Sequence, residues 1–139
     1  MTEDLKGNIY DVGTGSQAEQ FTATNKALAS YAGLKCSDPQ YIRIAIERQK
    51  DGVIPIPTSR PDIDAEVANL LLGKEIDAYV NRSQKYCQNT AKIYSMALGQ
   101  CTEAMKNRLK GEETYKEMDG EYDVIRLLLL IKSIAYSYE

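Results

Sequence analysis

Residues 99–138 read GQCTEAMKNRLKGEETYKEMDGEYDVIRLLLLIKSIAYSY, and the spacing of their apolar positions decides the fold. Gly99-Gln100-Cys101 interrupts a preceding helical pattern. Thr102 is then placed to cap a short helix over 103–110, its hydroxyl accepting from a first-turn N–H that has no helical partner. Met105 and Leu109 give that helix one inward edge, and Gly111 is its stop. Residues 114–118 add a turn inside an acidic link. Asp119 or Asp123 opens a last helix whose core face is Val124, Leu127, Leu128, Ile131, Ile134, Ala135 and Tyr138. Ile125, Leu129 and Tyr136 make a second apolar stripe, about 100–140° around from Val124. One stripe suffices for a surface helix. Two imply burial on two sides, either inside this domain or against another copy.

Working towards the N-terminus, residues 65–98 carry apolar or small residues at Leu72, Ile76, Tyr79, Ser83, Tyr86, Thr90, Tyr94 and Ala97. Val80, Cys87 and Leu98 join this face, while Lys74, Asp77, Asn81, Arg82, Lys85, Gln88, Asn89 and Lys92 fill the other. The pattern predicts one helix opened by Asp62 or Asp64, about 34 residues and on the order of 50 Å long. Gly73 costs it about 1 kcal/mol relative to alanine, and the helix is expected to run through. Before it, residues 53–61 hold three prolines, which exclude a helix and make a semi-rigid extended connector. Two shorter helices precede the connector. Ser16 caps the first, which runs to about Ala32 with Phe21, Thr24, Leu28, Tyr31 and Ala32 on one side and Gly33 as the stop. Ser37 or Asp38 caps the second, with Pro39 at its first position, Ile42, Ala45, Ile46 and Gln49 on one stripe, and Gly52 at its end. Residues 1–15 form an irregular lead-in with a short extended piece at 9–12. The expectation is an all-α single domain over 1–139, five to six helices with one long central helix.

The composition narrows what such a domain can do. With 43% hydrophobic and 27% charged residues and no low-complexity tract, the 139 residues suffice for one core. The longest apolar run is residues 127–131, far below the roughly 18 needed to cross a bilayer. The polar, acidic start MTEDLKGN has no character of a signal or transit segment. Histidine is absent, which removes the commonest general base, the Ser-His and Cys-His pairs and most zinc and iron ligand sets. Cys36, Cys87 and Cys101 are far apart with no C-x-x-C pair, so they read as small buried apolar residues in a reducing compartment. The net charge of −3 speaks against strong nucleic-acid binding by the whole chain. Charge is nevertheless blocked. Arg82, Lys85, Lys92, Lys106, Arg108 and Lys110 face only Glu103 across 81–111, and six acids face only Lys116 across 112–123. These blocks are solvated surface, or complementary patches that meet between copies.

Catalytic motifs fail on their own terms. Asp11-Val12-Gly13-Thr14-Gly15-Ser16 lacks the Gly-Lys-Ser/Thr of a phosphate loop, the third glycine of a dinucleotide fingerprint, and the Asp-Thr/Ser-Gly of an aspartic protease, so it reads as a turn feeding a helix. The acids of 112–123 do not match EF-hand spacing, and no Glu-x-x-His pair exists for a di-iron site. Asn81-Arg82-Ser83 falls mid-helix and is discounted as a glycosylation sequon. Ten tyrosines raise the idea of base stacking, but Tyr79, Tyr86 and Tyr94 lie on the apolar face of the long helix, where half-buried rings are expected.

The order of short motifs resembles the capsid region of Gag polyproteins from Ty1/copia-type LTR retrotransposons of algae, diatoms and other eukaryotes. The motif Gly99-Gln100-Cys101-Thr102, then Met105 and Leu109, a charged link, and Asp123 followed by Leu127-Leu128 and Ile131-Lys132-x-Ile134 is similar to one in that family. So are Leu5-Lys6-Gly7-Asn8-Ile9-Tyr10-Asp11, the helix from Gln17 to Gly33, Ile42-Arg43-x-x-Ile46-Glu47 before the proline-rich link, and Lys74-Glu75-Ile76-Asp77-x-Tyr79-Val80. Leu98 stands where the family often has Trp, and Leu129 where it is usually polar.

The resemblance implies a structural protein that self-assembles into particles around element RNA. It implies no catalytic residue, cofactor, metal or small-molecule substrate, and no membrane partner. The partner is the chain itself, RNA contact is weak or indirect, and the location is cytoplasmic, or nuclear if the domain is domesticated. Expected contact residues are Ile125, Leu129 and Tyr136, with Arg82, Lys85, Lys106, Arg108 and Lys110 facing acids of a neighbour; Gly99, Gln100, Cys101 and Thr102 are a structural motif. A helical adaptor binding a peptide or protein in a groove is the alternative, followed by an RNA-binding module on the basic 82–110 surface. An enzyme comes last.

Overall fold

The computed structural model describes residues 5–13, 15–60 and 62–137. Six helices follow one another: α1 (Gln17–Lys35), α2 (Gln40–Arg48), α3 (Ala65–Gly99), α4 (Glu103–Lys110), α5 (Tyr115–Glu121) and α6 (Val124–Tyr136). The fold is all-α, with no strand among the described residues and with α3 as the long helix in the middle of the chain.

The core is organised around α6, which packs on each of the other five helices. Its predicted core face is buried at Val124, Leu127, Leu128, Ile131, Ile134 and Ala135; Tyr138 lies outside the described residues. Each such aliphatic residue taken fully from water contributes about 1.5–3 kcal/mol. Asp123 starts the helix as its cap, Oδ1 accepting from the Arg126 amide at 3.1 Å while Oδ2 pairs with Arg126 Nε at 3.1 Å. Met105 and Leu109 of α4 are also fully buried, and Thr102 Oγ1 accepts from the Met105 amide at 3.2 Å as its spacing predicts.

The helix ends before the connector differ from expectation, each for a local reason. Ser16 makes no side-chain capping bond to α1, and α1 runs through Gly33 to Lys35. Gly33 keeps a helical conformation within α1, and its flank faces the Arg43 side chain of α2, 3.4 Å from the position a Cβ would take. Neither Ser37 nor Asp38 caps α2: Pro39 holds the N-cap position and Asp38 takes a left-handed conformation in the link. Helix α2 stops at Arg48 rather than near Gly52 because Gln49 turns left-handed (φ 50°), with its Nε2 donating to the Ile46 carbonyl at 2.6 Å. Gln49 is therefore a terminator and not part of the stripe. Gly52 has another use: a Cβ there would come within 2.6 Å of the Tyr41 carbonyl oxygen.

Helix α3 passes through Gly73 as expected and spans 35 residues, about 52 Å. Its two ends live in different surroundings. From 89 onward Asn89, Ile93, Tyr94 and Ala97 are buried, whereas Ala68 is the buried residue of 65–88. The predicted polar face is partly used for packing: Asn89 Nδ2 donates to the Ser37 carbonyl at 2.8 Å and Lys92 Nζ to the Lys35 carbonyl at 3.1 Å. The connector runs beside the first part of α3, fixed by Tyr86 Oη with Asp51 and the Gly52 amide (3.3 Å each) and by Arg60 with Glu75 (2.9 Å).

Candidate self-association surfaces

Gly99-Gln100-Cys101-Thr102 holds the lead-in to the rest of the domain. Gln100 is 1% exposed, and its Nε2 donates to the Leu5 carbonyl (2.9 Å) and the Asn8 carbonyl (2.6 Å). The Tyr10 amide donates to the Gln100 carbonyl and the Thr102 amide to the Tyr10 carbonyl, both at 3.0 Å, forming an isolated parallel bridge between Tyr10 and Cys101. Thr102 Oγ1 also donates to Asp11 Oδ1 at 2.7 Å. The extended piece expected at 9–12 thus finds its partners some ninety residues on. Sequence reading singled out both motifs and did not connect them. The signal it had was apolar Leu5 and Tyr10 in an otherwise polar lead-in.

This clasp is structural chemistry. Tyr10 is buried with its Oη donating to Asn25 Oδ1 at 3.1 Å, and burial pushes its pKa well up. Burial also pushes the Cys101 thiol up to about 12, so it stays protonated. Cys36 is raised by burial as well, leaving Cys87 as the exposed thiol. Tyr94 is raised by burial and by its 2.8 Å bond to Asp119. Its hydroxyl does not reach water as a half-buried ring would.

The second stripe of α6 is partly used within the protomer. Ile125 packs against the core, while Leu129 is 48% and Tyr136 44% exposed. The Tyr136 ring meets Phe21 edge-on at 6.1 Å, and Lys132 Nζ lies 5.6 Å from its centre. The outward ridge is therefore Leu129 and one side of Tyr136.

The basic block does not form one patch. Arg82 and Lys85 lie on α3, and Arg82 is 17 residues, about 25 Å, before that helix ends. Lys106, Arg108 and Lys110 lie on α4, which packs on α5 and α6, and Lys106 pairs with Glu103 at 3.5 Å. The acidic link is partly spent inside the protomer too: Glu117 and Asp123 both meet Arg126.

Several concavities border α6. A groove of about 390 Å³ between α1, α2 and α6 is lined by Phe21, Asn25, Lys26, Arg43, Lys132 and Tyr136 among others. Arg43 there pairs with Glu47 at 3.3 Å. A depression of about 320 Å³ at the α5–α6 turn includes Cys87, Tyr122 and Ile125. Among the described residues no three His, Cys, Asp or Glu side chains gather to hold a metal ion, and no helix is long and apolar enough to cross a membrane. Compared with family models, curated proteins and solved structures, the chain matches none.

Proposed function

We propose that the domain is a structural, self-assembling capsid unit of the retrotransposon Gag kind, which its motif order resembles. The observation that carries this reading is the outward ridge of α6, where Leu129 and Tyr136 stay about half exposed on the helix that organises the whole core. Apolar side chains held outward on a rigid helix offer area that a second protein surface can bury. The mechanism is multivalent: single contacts of about −4 to −5 kcal/mol, near millimolar, become durable when each subunit makes several.

Sedimentation across rising concentration and salt tests it. The chain is expected to shift to larger species, and Leu129→Glu to weaken that shift while leaving the helical circular dichroism unchanged. A chain that stays monomeric at millimolar concentration throughout refutes assembly by this domain. The groove between α1, α2 and α6 favours a second reading, a helical adaptor. That reading predicts a monomer that takes up a peptide beside Tyr136, with Lys26→Glu reducing uptake.

A further inference from the structure

Among the described residues, seven of the eleven large apolar side chains that are exposed lie between 53 and 80: Val53, Ile56, Ile63, Val67, Leu70, Ile76 and Val80. They belong to the connector and the first half of α3, an arm that extends beyond the helices gathered on α6. The connector covers one flank of the arm through Arg60–Glu75 and Asp51–Tyr86. The flank it leaves open has its own order. Asn69, Gly73, Ile76, Val80, Ser83 and Cys87 follow one another by four, three, four, three and four, within a strip about 80° wide. All are exposed except Ser83, which is half-buried. From Gly73 to Cys87 the strip is apolar or small, and Asn69 is the polar residue at its outer end. A seam repeating every seven residues is the pattern by which one helix interlocks with another, and a single asparagine within such a seam fixes its register.

The seam also specifies its occupant. Large residues, Ile76 and Val80, sit in the middle, with small Gly73 and Ser83 on either side. Aligned with itself in either direction, the strip sets large side chains against large and small against small. In the parallel alignment the two Asn69 amides also face each other, each able to donate to the other. The footprint is roughly 27 Å by 10 Å per copy. That is far below the roughly 800 Å² per partner of a stable two-protein complex. So small a contact is useful where it is repeated, as between copies of one chain. A single two-fold surface closes into a dimer and goes no further; a particle requires a second. The seam continues towards the α6 surface, since Cys87 borders both the strip beside Val80 and the depression that includes Ile125.

We propose that the first half of α3 pairs with the same helix of a second copy along the seam from Asn69 to Cys87, as an interface distinct from the α6 ridge. The inference deepens the assembly reading and rests on it for its occupant. Ile76→Glu with Val80→Glu, both on half-exposed positions, is compared with the unchanged chain and with Leu129→Glu by sedimentation. The double variant is expected to weaken self-association at least tenfold with unchanged circular dichroism. In parallel, a short bis-maleimide linker reports contact through Cys87, the exposed thiol. A covalent dimer forms from the unchanged chain if the helices pair in parallel. If they pair antiparallel it forms from Asn69→Cys alone, through Cys87 of the second copy.

Association untouched by the double variant, or no covalent dimer from either protein while the chain still associates, overturns the seam and leaves assembly standing. A chain monomeric at millimolar concentration overturns both.

Discussion

The two halves of α3 share one backbone conformation and one apolar rhythm, yet residues 89–99 are bolted into the core while residues 65–88 bury little beyond Ala68. In the second half Ile93, Tyr94 and Ala97 meet other helices, and even the polar residues are recruited: Asn89 and Lys92 satisfy carbonyls at Ser37 and Lys35. In the first half the same stripe meets a proline-rich connector on one flank and solvent on the other. Amphipathic spacing says which face of a helix seeks cover. It does not say whether the chain supplies that cover itself.

The contrast is broken most directly by truncating one apolar residue in each setting. Leu128→Ala in α6 is expected to cost about 2–5 kcal/mol of unfolding free energy. Ile76→Ala in the arm should stay within about 0.5 kcal/mol. Urea titration of the isolated monomer measures both; equal losses would show that the arm is as tightly packed as the core. Next in size is Gln100→Ala, which leaves the Leu5 and Asn8 carbonyls without their donor. A loss of about 1–3 kcal/mol is expected. Hydrogen exchange should then quicken at the Tyr10 and Thr102 amides, with amides of 65–85 unaffected.

A further effect is set by pH. Cys101 is raised from 9.0 to about 12 because burial disfavours its thiolate. The unfolded chain loses that proton first, so the stability is intact below pH 9 and drains as pH climbs towards 12. At pH 10 the loss is about 1.4 kcal/mol. Cys101→Ala should flatten this part of the profile, leaving the steeper decline above pH 10 to Tyr10 and Tyr94, both raised by burial.

Much of the fold was legible because helix signals are local. Thr102 and Asp123 act as caps where their spacing put them, and the core face of α6 came out complete over the described residues. Most of the misses depend on a second segment. Gly33 reads as a stop, yet α1 runs through it where it faces the Arg43 side chain of α2. Gln49 is the local exception, reading as part of a stripe until its side chain closes on Ile46 three residues back. The α6 ridge was visible as a second stripe, but Phe21, which takes one side of Tyr136, belongs to another helix. The basic residues looked like one block because they are close in sequence, whereas a long straight helix keeps Arg82 and Lys85 away from α4.

The bridge between Tyr10 and Cys101 sets a timetable for the nascent chain. Residues 5–11 leave the ribosome well before the residues, some ninety positions later, whose carbonyl and amide groups receive them. Closing so long a loop costs entropy; Ile9 and Tyr10 have nearer partners in Thr24, Asn25 and Phe21 of α1, but the Leu5 and Asn8 carbonyls wait for Gln100. Residues 5–8 are therefore secured long after they are made, a handle open to proteases or chaperones until the far end of α3 has emerged.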